Sequence, residues 1–145
     1  MSDEPLPVER LPLLFHLSYC SRAAPGLTDA DVDRIVEVAQ RHNPAQHITG
    51  LLTFGAGVFF QWLEGPRDAV LALMAKLQSD SRHDNVVTLA ESEEVRERIF
   101  PAWDMERVSP EDIRGVLSDA IDTTRDPVGI RSLQALLERV EASAV

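Results

Sequence analysis

Two polar side chains stand where apolar ones would be expected. Tyr19 lies in the run LLFHLSYCS and Gln61 in VFFQWLEG. Side chains alternate along a strand, so Leu13, Phe15, Leu17, Tyr19 and Ser21 share one face. In the second run Phe59, Gln61 and Leu63 share a face, opposite Val58, Phe60 and Trp62. A phenol and a carboxamide are thus each set among apolar neighbours. Burying a carboxamide without partners costs about 1–3 kcal/mol. A small molecule rich in hydrogen-bonding groups would supply those partners; a satisfied polar pair in the core is the competing reading. The phenol is oxidisable and carries a labile proton. The carboxamide offers an acceptor oxygen and a two-proton donor on one group. Such a pair can release an electron and a proton and then link its groups differently.

The surrounding sequence must supply strands for both residues and helices to cover them. A first strand is predicted over about 13–21. Thr28 with Asp31 three residues on is a capping signature. The stripe Val32, Ile35, Val36, Ala39 follows, continuing to His42 and Asn43. Pro44 disfavours helix at the residue before it, so this helix is expected to end there. Strands two (47–54) and three (58–64) flank Gly55-Ala56-Gly57 and read as a hairpin. Pro66 opens a second helix to about 79, with Val70, Leu73, Met74 and Leu77 inward. Strand four is predicted over 86–92, a short helical turn in EEVRERIF, and strand five over 102–108. Ser109-Pro110-Glu111-Asp112 caps a helix over 110–121 with Ile113, Val116, Leu117 and Ala120 inward. Asp126-Pro127 starts a last helix whose stripe is Ile130, Leu133, Leu137 and Val140.

This order predicts an α+β fold, a ferredoxin-like five-stranded mixed sheet with both longer helices on one face. Strands one and three then meet at the centre, bringing Tyr19 beside Gln61. The other face carries Leu51, Phe60 and Trp62 and is too apolar for water. The C-terminal helices or a second subunit should cover it. Trp62 and Cys20 alternate away from Gln61 and Tyr19 towards that side.

Composition narrows the function. The chain of 145 residues suits one domain, with residues 1–11 expected to be a flexible lead-in. A net charge of −10 argues against nucleic acid and anionic membranes as partners. No apolar stretch approaches the roughly 20 residues that span a bilayer. The acidic start MSDEPLPVER reads as neither signal nor transit peptide. A single cysteine, Cys20, excludes an internal disulfide and points to a reducing, cytoplasmic setting. The histidines show no metal-ligand spacing.

Five segments together resemble the BLUF family, blue-light sensors that use FAD. They are SYCSRAAPGL, RHNPAQHITGLL, VFFQWLEGPRDAV, SDSRHDNV and RIFPAWDM, in that order over about residues 13–108. The resemblance implies a flavin-binding domain over 12–108 and a C-terminal helical cap or output segment over 109–145. It implies FAD held non-covalently between the two longer helices, with FMN or riboflavin as lesser options. Tyr19 then donates an electron, its proton travels through Gln61, and Gln61 ends rotated or tautomerised. The flavin is left oxidised with a small red shift.

The resemblance also distributes the remaining roles. Asn43 contacts the ring's carbonyl edge, where a plain helix cap is the alternative reading. His42 flanks the ring or faces solvent. Lys76, Asp80, Arg82 and His83 fall where the family contacts the ribityl and phosphate portion. Lys76 and Asp80 could instead be a helix-surface ion pair, and Arg82 and His83 a solvated turn. Trp103 and Met105 are expected to relay the signal; Trp103 could face in or out and could compete as electron donor. The chain reads as a stand-alone photoreceptor, not an enzyme, acting on a separate effector and as a homo-oligomer. An acylphosphatase-like hydrolase using Arg22 and Asn43, or a flavin binder without photochemistry, are the rival readings.

Overall fold

The computed structural model describes residues 13–95, 98–124 and 127–143, and not the side chains of Val128 and 139–143. The expected lead-in over 1–11, Asp126 and the Val140 side chain lie outside this description. Nine elements follow in order: β1 (Leu13–Ala23), α1 (Asp29–Gln46), β2 (Thr49–Gly55), β3 (Val58–Gly65), α2 (Arg67–Ser79), β4 (His83–Val95), β5 (Glu106–Arg107), α3 (Ile113–Thr123) and α4 (Pro127–Ser143). The strands form one sheet in the order β4-β1-β3-β2-β5. Neighbours are antiparallel except β2 and β5, which are parallel. This is the α+β mixed sheet read from the sequence, with β1 and β3 adjacent at its centre.

Each face of the sheet carries its own core. On one, Phe15, Leu17, Tyr19, Phe59 and Leu63 pack with Val32 and Val36 of α1 and Val70 and Met74 of α2. On the other, Leu51, Phe60 and Trp62 pack with Ile113, Leu117 and Ala120 of α3 and Leu133 and Leu136 of α4. The C-terminal helices therefore cover the apolar face, as its composition required. Leu136 is buried in this core, whereas Leu137 of the predicted stripe is only partly buried. Leu13 lies at the sheet's end and is exposed.

Several boundaries differ from the sequence reading. Helix α1 begins with the Thr28–Asp31 capping box but runs through Pro44 to Gln46. Proline so near a C-terminus forfeits one internal bond, and His47 in the left-handed conformation (φ 58°) closes the helix by donating to the Asn43 and Pro44 carbonyls. Strand β4 extends from His83 to Val95 because the eleven-residue β1 offers partners along its whole length. It thereby absorbs Glu93, Glu94 and Val95, which the sequence placed in a helical turn. Strand β5 shrinks to two residues because the groups before it bond elsewhere. Gly50 N donates to Trp103 O, Asn43 Nδ2 to Asp104 O and Gln40 Nε2 to Met105 O. Ser109 and Asp112 exchange two hydrogen bonds in a turn, and regular α3 starts one turn later than expected.

The β2–β3 connection turns on Ala56 (φ 51°) and Gly57 (φ 74°), both left-handed as a type I′ hairpin needs. Close strand packing makes Gly50 irreplaceable: a Cβ there would sit 1.8 Å from Trp62 O. Gly115 in α3 has nothing within 4 Å of a Cβ. Gly50→Ala should therefore cost at least about 2 kcal/mol in urea denaturation. Gly115→Ala should add up to about 1 kcal/mol. Equal midpoints for the two variants would contradict this packing.

Candidate functional site

The β1–β3 register pairs Tyr19 directly with Gln61. Both side chains rise from the α1–α2 face, and both are buried. The Tyr19 hydroxyl donates to Gln61 Oε1. Gln61 Nε2 donates onward to Met105 Sδ at 3.2 Å. Sulfur is a weak acceptor, so one end of the carboxamide is held firmly and the other loosely. Burial pushes the Tyr19 phenol well above its ordinary pKa, and the Asp80 carboxylate adds to the shift. The resting tyrosine is neutral and keeps its proton to give.

His83 opens β4 beside this pair. Its ring lies edge-on to Tyr19 with centroids 6.3 Å apart, and against Phe59 at 4.5 Å. Nδ1 is 2.9 Å from the Ser21 hydroxyl, while Nε2 is buried with no partner among the described residues. An orphaned ring nitrogen next to a buried phenol is what a bound ligand would complete. Burial holds the imidazole below its ordinary pKa, aided by Arg82 and opposed by Asp80.

The turn after α2 is built around Asp80. Its carboxylate receives the Arg82 backbone N–H at 2.9 Å and the guanidinium at 3.0 and 3.1 Å from Nε. That bonding lowers its pKa to about 2. Asp80 is thus engaged by Arg82 rather than by Lys76, which is exposed in the last turn of α2. Arg82 is exposed, and its Nη2 also donates to Asp80 at 2.5 Å.

Asn43 is buried and, rather than capping α1, donates Nδ2 to Asp104 O at 2.7 Å. His42, one residue earlier, is exposed. Met105 belongs to the core beside Tyr19, whereas Trp103 packs on the opposite side with the C-terminal helices, stacked on Phe100. The structure therefore unites Tyr19, Gln61, His83 and Met105, ties Asn43 to the Met105 segment, and leaves His42, Lys76 and Arg82 at the surface. Cys20 is half buried on the Trp62 side. Arg22 is exposed on β1. Two supporting roles escaped the sequence reading. Gln40 holds the Met105 carbonyl at 2.9 Å, and its position three before Asn43 could have flagged it. Ser21, already placed on the Tyr19 face by alternation, gains its supporting role only through its bond to His83.

The sequence signature of the family described as "BLUF: Sensors of blue-light using FAD" matches residues 14–106. The chain belongs to the BLUF family. A photoactivated adenylate cyclase subunit beta from Euglena longa is 38% identical over 96 residues, 66% of this chain and 11% of that protein. The subunit beta from Euglena gracilis is 36% identical over the same length. The chain spans about a tenth of these curated relatives. Among solved structures, BlrB, a BLUF protein in its dark state, superimposes with a TM-score of 0.68 at 28% identity, covering 93% of this chain and 99% of that one. The BLUF unit of BlrP1 gives 0.75 at 28% identity, covering 92% and 93%. BLUF membership makes this a module that senses blue light with a flavin and disfavours the acylphosphatase alternative. Among the described residues no His, Cys, Asp and Glu groups gather to hold a metal, and no helix is long and apolar enough to cross a membrane.

His83 generates a pH prediction. Its folded pKa lies below the unfolded value near 6.5, so the unfolded chain takes up the proton first as pH falls. Stability should hold above about pH 6.5 and decline below it, through the window down to the lowered folded pKa. His83→Gln should flatten that decline relative to wild type in chemical denaturation at stepped pH. Parallel curves for the two proteins would contradict the burial of an uncharged imidazole here.

Proposed function

We propose that this chain is a blue-light photoreceptor in which Tyr19 and Gln61 form the switch, the signal leaves the pocket at Met105, and the C-terminal helices carry it to a separate effector. The observation that carries this reading is the buried chain Tyr19 hydroxyl to Gln61 Oε1, Gln61 Nε2 to Met105 Sδ. The cofactor is FAD, with FMN or riboflavin as substitutes. Tyr19, Gln61, Asn43 and His42 hold its ring portion, and Lys76, Asp80, Arg82 and His83 its ribityl and phosphate portion. The chemistry of the site suits such a group. His83 Nε2 lacks a partner among the described residues, and Lys76 and the Asp80-paired Arg82 provide positive groups on an otherwise acidic chain.

When bound, a flavin supplies blue-light absorption and, once excited, a strong electron acceptor. The residues supply the rest. Tyr19 loses an electron, and its proton moves along the existing bond to Gln61 Oε1. Return of electron and proton leaves the carboxamide with donor and acceptor ends exchanged. Nε2, formerly on Met105, then faces the phenol side, and Met105 loses its donor. One hydrogen bond is worth about 0.5–1.5 kcal/mol. It can shift a two-state equilibrium by about tenfold at most, so the responding element must lie near balance. The two-residue β5 and the turns before it are such an element.

The domain limits 12–108 and 109–145 follow from this division between sensor and output. The photoactivated adenylate cyclase subunit and BlrP1, seen in a manganese and cyclic diGMP complex, are longer, and this chain covers 11% and 33% of them. Here α3 and α4 would carry output by contact, to an effector or between copies of a homo-oligomer. One free cysteine fits the reducing cytoplasm.

Purified protein should be yellow and show a reversible red shift after blue light. Tyr19→Phe and Gln61→Leu should each retain flavin and lose the shift. A variant that cycles like wild type would contradict its assigned role. Light-minus-dark hydrogen exchange should change within 100–143, and an unchanged pattern there would refute the output route.

A further inference from the structure

The face of the sheet turned away from Tyr19 carries a second group of buried polar side chains. Glu64 lies on β3 three residues beyond Gln61 and is fully buried. Its Oε1 accepts from Trp62 Nε1 at 3.2 Å, and its Oε2 from Phe100 N at 2.8 Å. Arg98 fastens the same stretch, donating to the Thr49 hydroxyl at 2.9 Å, the Glu64 carbonyl at 3.0 Å and the His47 carbonyl at 2.6 Å. The Phe100 ring stands edge-on to Trp62 at 5.7 Å and stacks on Trp103 at 5.1 Å with planes 10° apart.

Besides the Arg98 bond to the Glu64 carbonyl, two side chains of β3 hold the segment after β4, one on each face. At Phe100 the holder is Glu64, both of whose oxygens accept N–H donors. At Met105 it is Gln61 Nε2, bonded to a thioether. Hydrogen bonds to a carboxylate are roughly twice as strong as neutral ones, and sulfur is a weak acceptor. The two attachments thus differ in kind: a firm one, remote from the phenol, and a loose one that the carboxamide can release.

We propose that Glu64 is a positioning residue for the switch. It pins the Phe100 backbone to β3, so that release of Met105 swings residues 101–108 about Phe100 instead of freeing the whole segment. This rests on the photochemistry proposed for Tyr19 and Gln61. The bonds at risk in the swing are Gly50 N to Trp103 O at 2.8 Å and Val108 N to Leu52 O at 2.9 Å. A pinned end confines a change worth one hydrogen bond to the few residues it can move.

Amide-resolved hydrogen exchange on the flavin-bound wild type, in darkness and under continuous blue light, tests this. Gly50 and Val108 amides should exchange up to about tenfold faster in light, one hydrogen bond's worth. The Phe100 amide should be equally protected in both states. Phe100 exchanging in step with Gly50 and Val108 overturns the proposal, without any variant having to fold. Glu64→Gln sets an NH₂ against one of the two N–H donors. It should keep the flavin and the full red shift while its Phe100 amide becomes light-sensitive. Persistent light-independent protection in that variant overturns the proposal, and so does loss of its red shift, which would put Glu64 in the chromophore's own chemistry. A wild type with no red shift overturns the reading of Tyr19 and Gln61 and this proposal with it. The absorption spectrum alone tells that failure from a failure of Glu64.

Discussion

Pairing two strands in one register decides which side chains can meet, because a slip of one residue sends every side chain to the other face. With Tyr19 opposite Gln61, the phenol and the carboxamide meet under α1 and α2. A slip would pair Tyr19 with Phe60 or Trp62 and break the site. Much of the fold protects this register. Apolar residues fill both faces, the two-residue turn at Ala56–Gly57 sets the β2–β3 pairing, and Gly50 lets β2 lie against the Trp62 carbonyl. The family to which the chain belongs senses blue light with a flavin.

The sheet separates two tasks between its faces. Tyr19, Gln61, His83 and Met105 occupy the side under α1 and α2, where the carboxamide bonds a phenol at one end and a thioether at the other. Trp62, Glu64 and Phe100 occupy the side under α3 and α4 with firmer attachments. The segment from Arg98 to Val108 passes between them and belongs wholly to neither. Its backbone groups bond to α1 and β2 rather than forming a long ladder. Such a segment is secured piece by piece, so a change at one point can be passed along it.

Alternation along the two strand-like runs made Tyr19 and Gln61 legible as neighbours, because period two is insensitive to small boundary errors. The helical stripes of α1, α2 and α3 were legible for a similar reason. Where tertiary bonds override local preference, the sequence was a poor guide. Pro44 marks a helix end by local rules, yet His47 closes the helix three residues later and Asn43 is drawn to Asp104. The run PAWDMERVS has a strand's composition, but its carbonyls are taken by Gly50, Asn43 and Gln40. Glu64 went unnoticed although its signal was present. It is a carboxylate on the apolar face of Phe60 and Trp62, and such a residue needs buried donors. Those donors, Trp62 Nε1 and Phe100 N, could not be paired with it until the segment after β4 was placed.

The Gln61 side-chain amide is the atom group on which the account turns. Nitrogen-15 spectra of the flavin-bound protein, selectively labelled at the glutamine side chain and recorded in darkness and under blue light, observe it directly. The account predicts that the Gln61 NH₂ signals move on illumination, return in the dark, and stay fixed in Tyr19→Phe. An absorption change in wild type with unmoved Gln61 signals would contradict it.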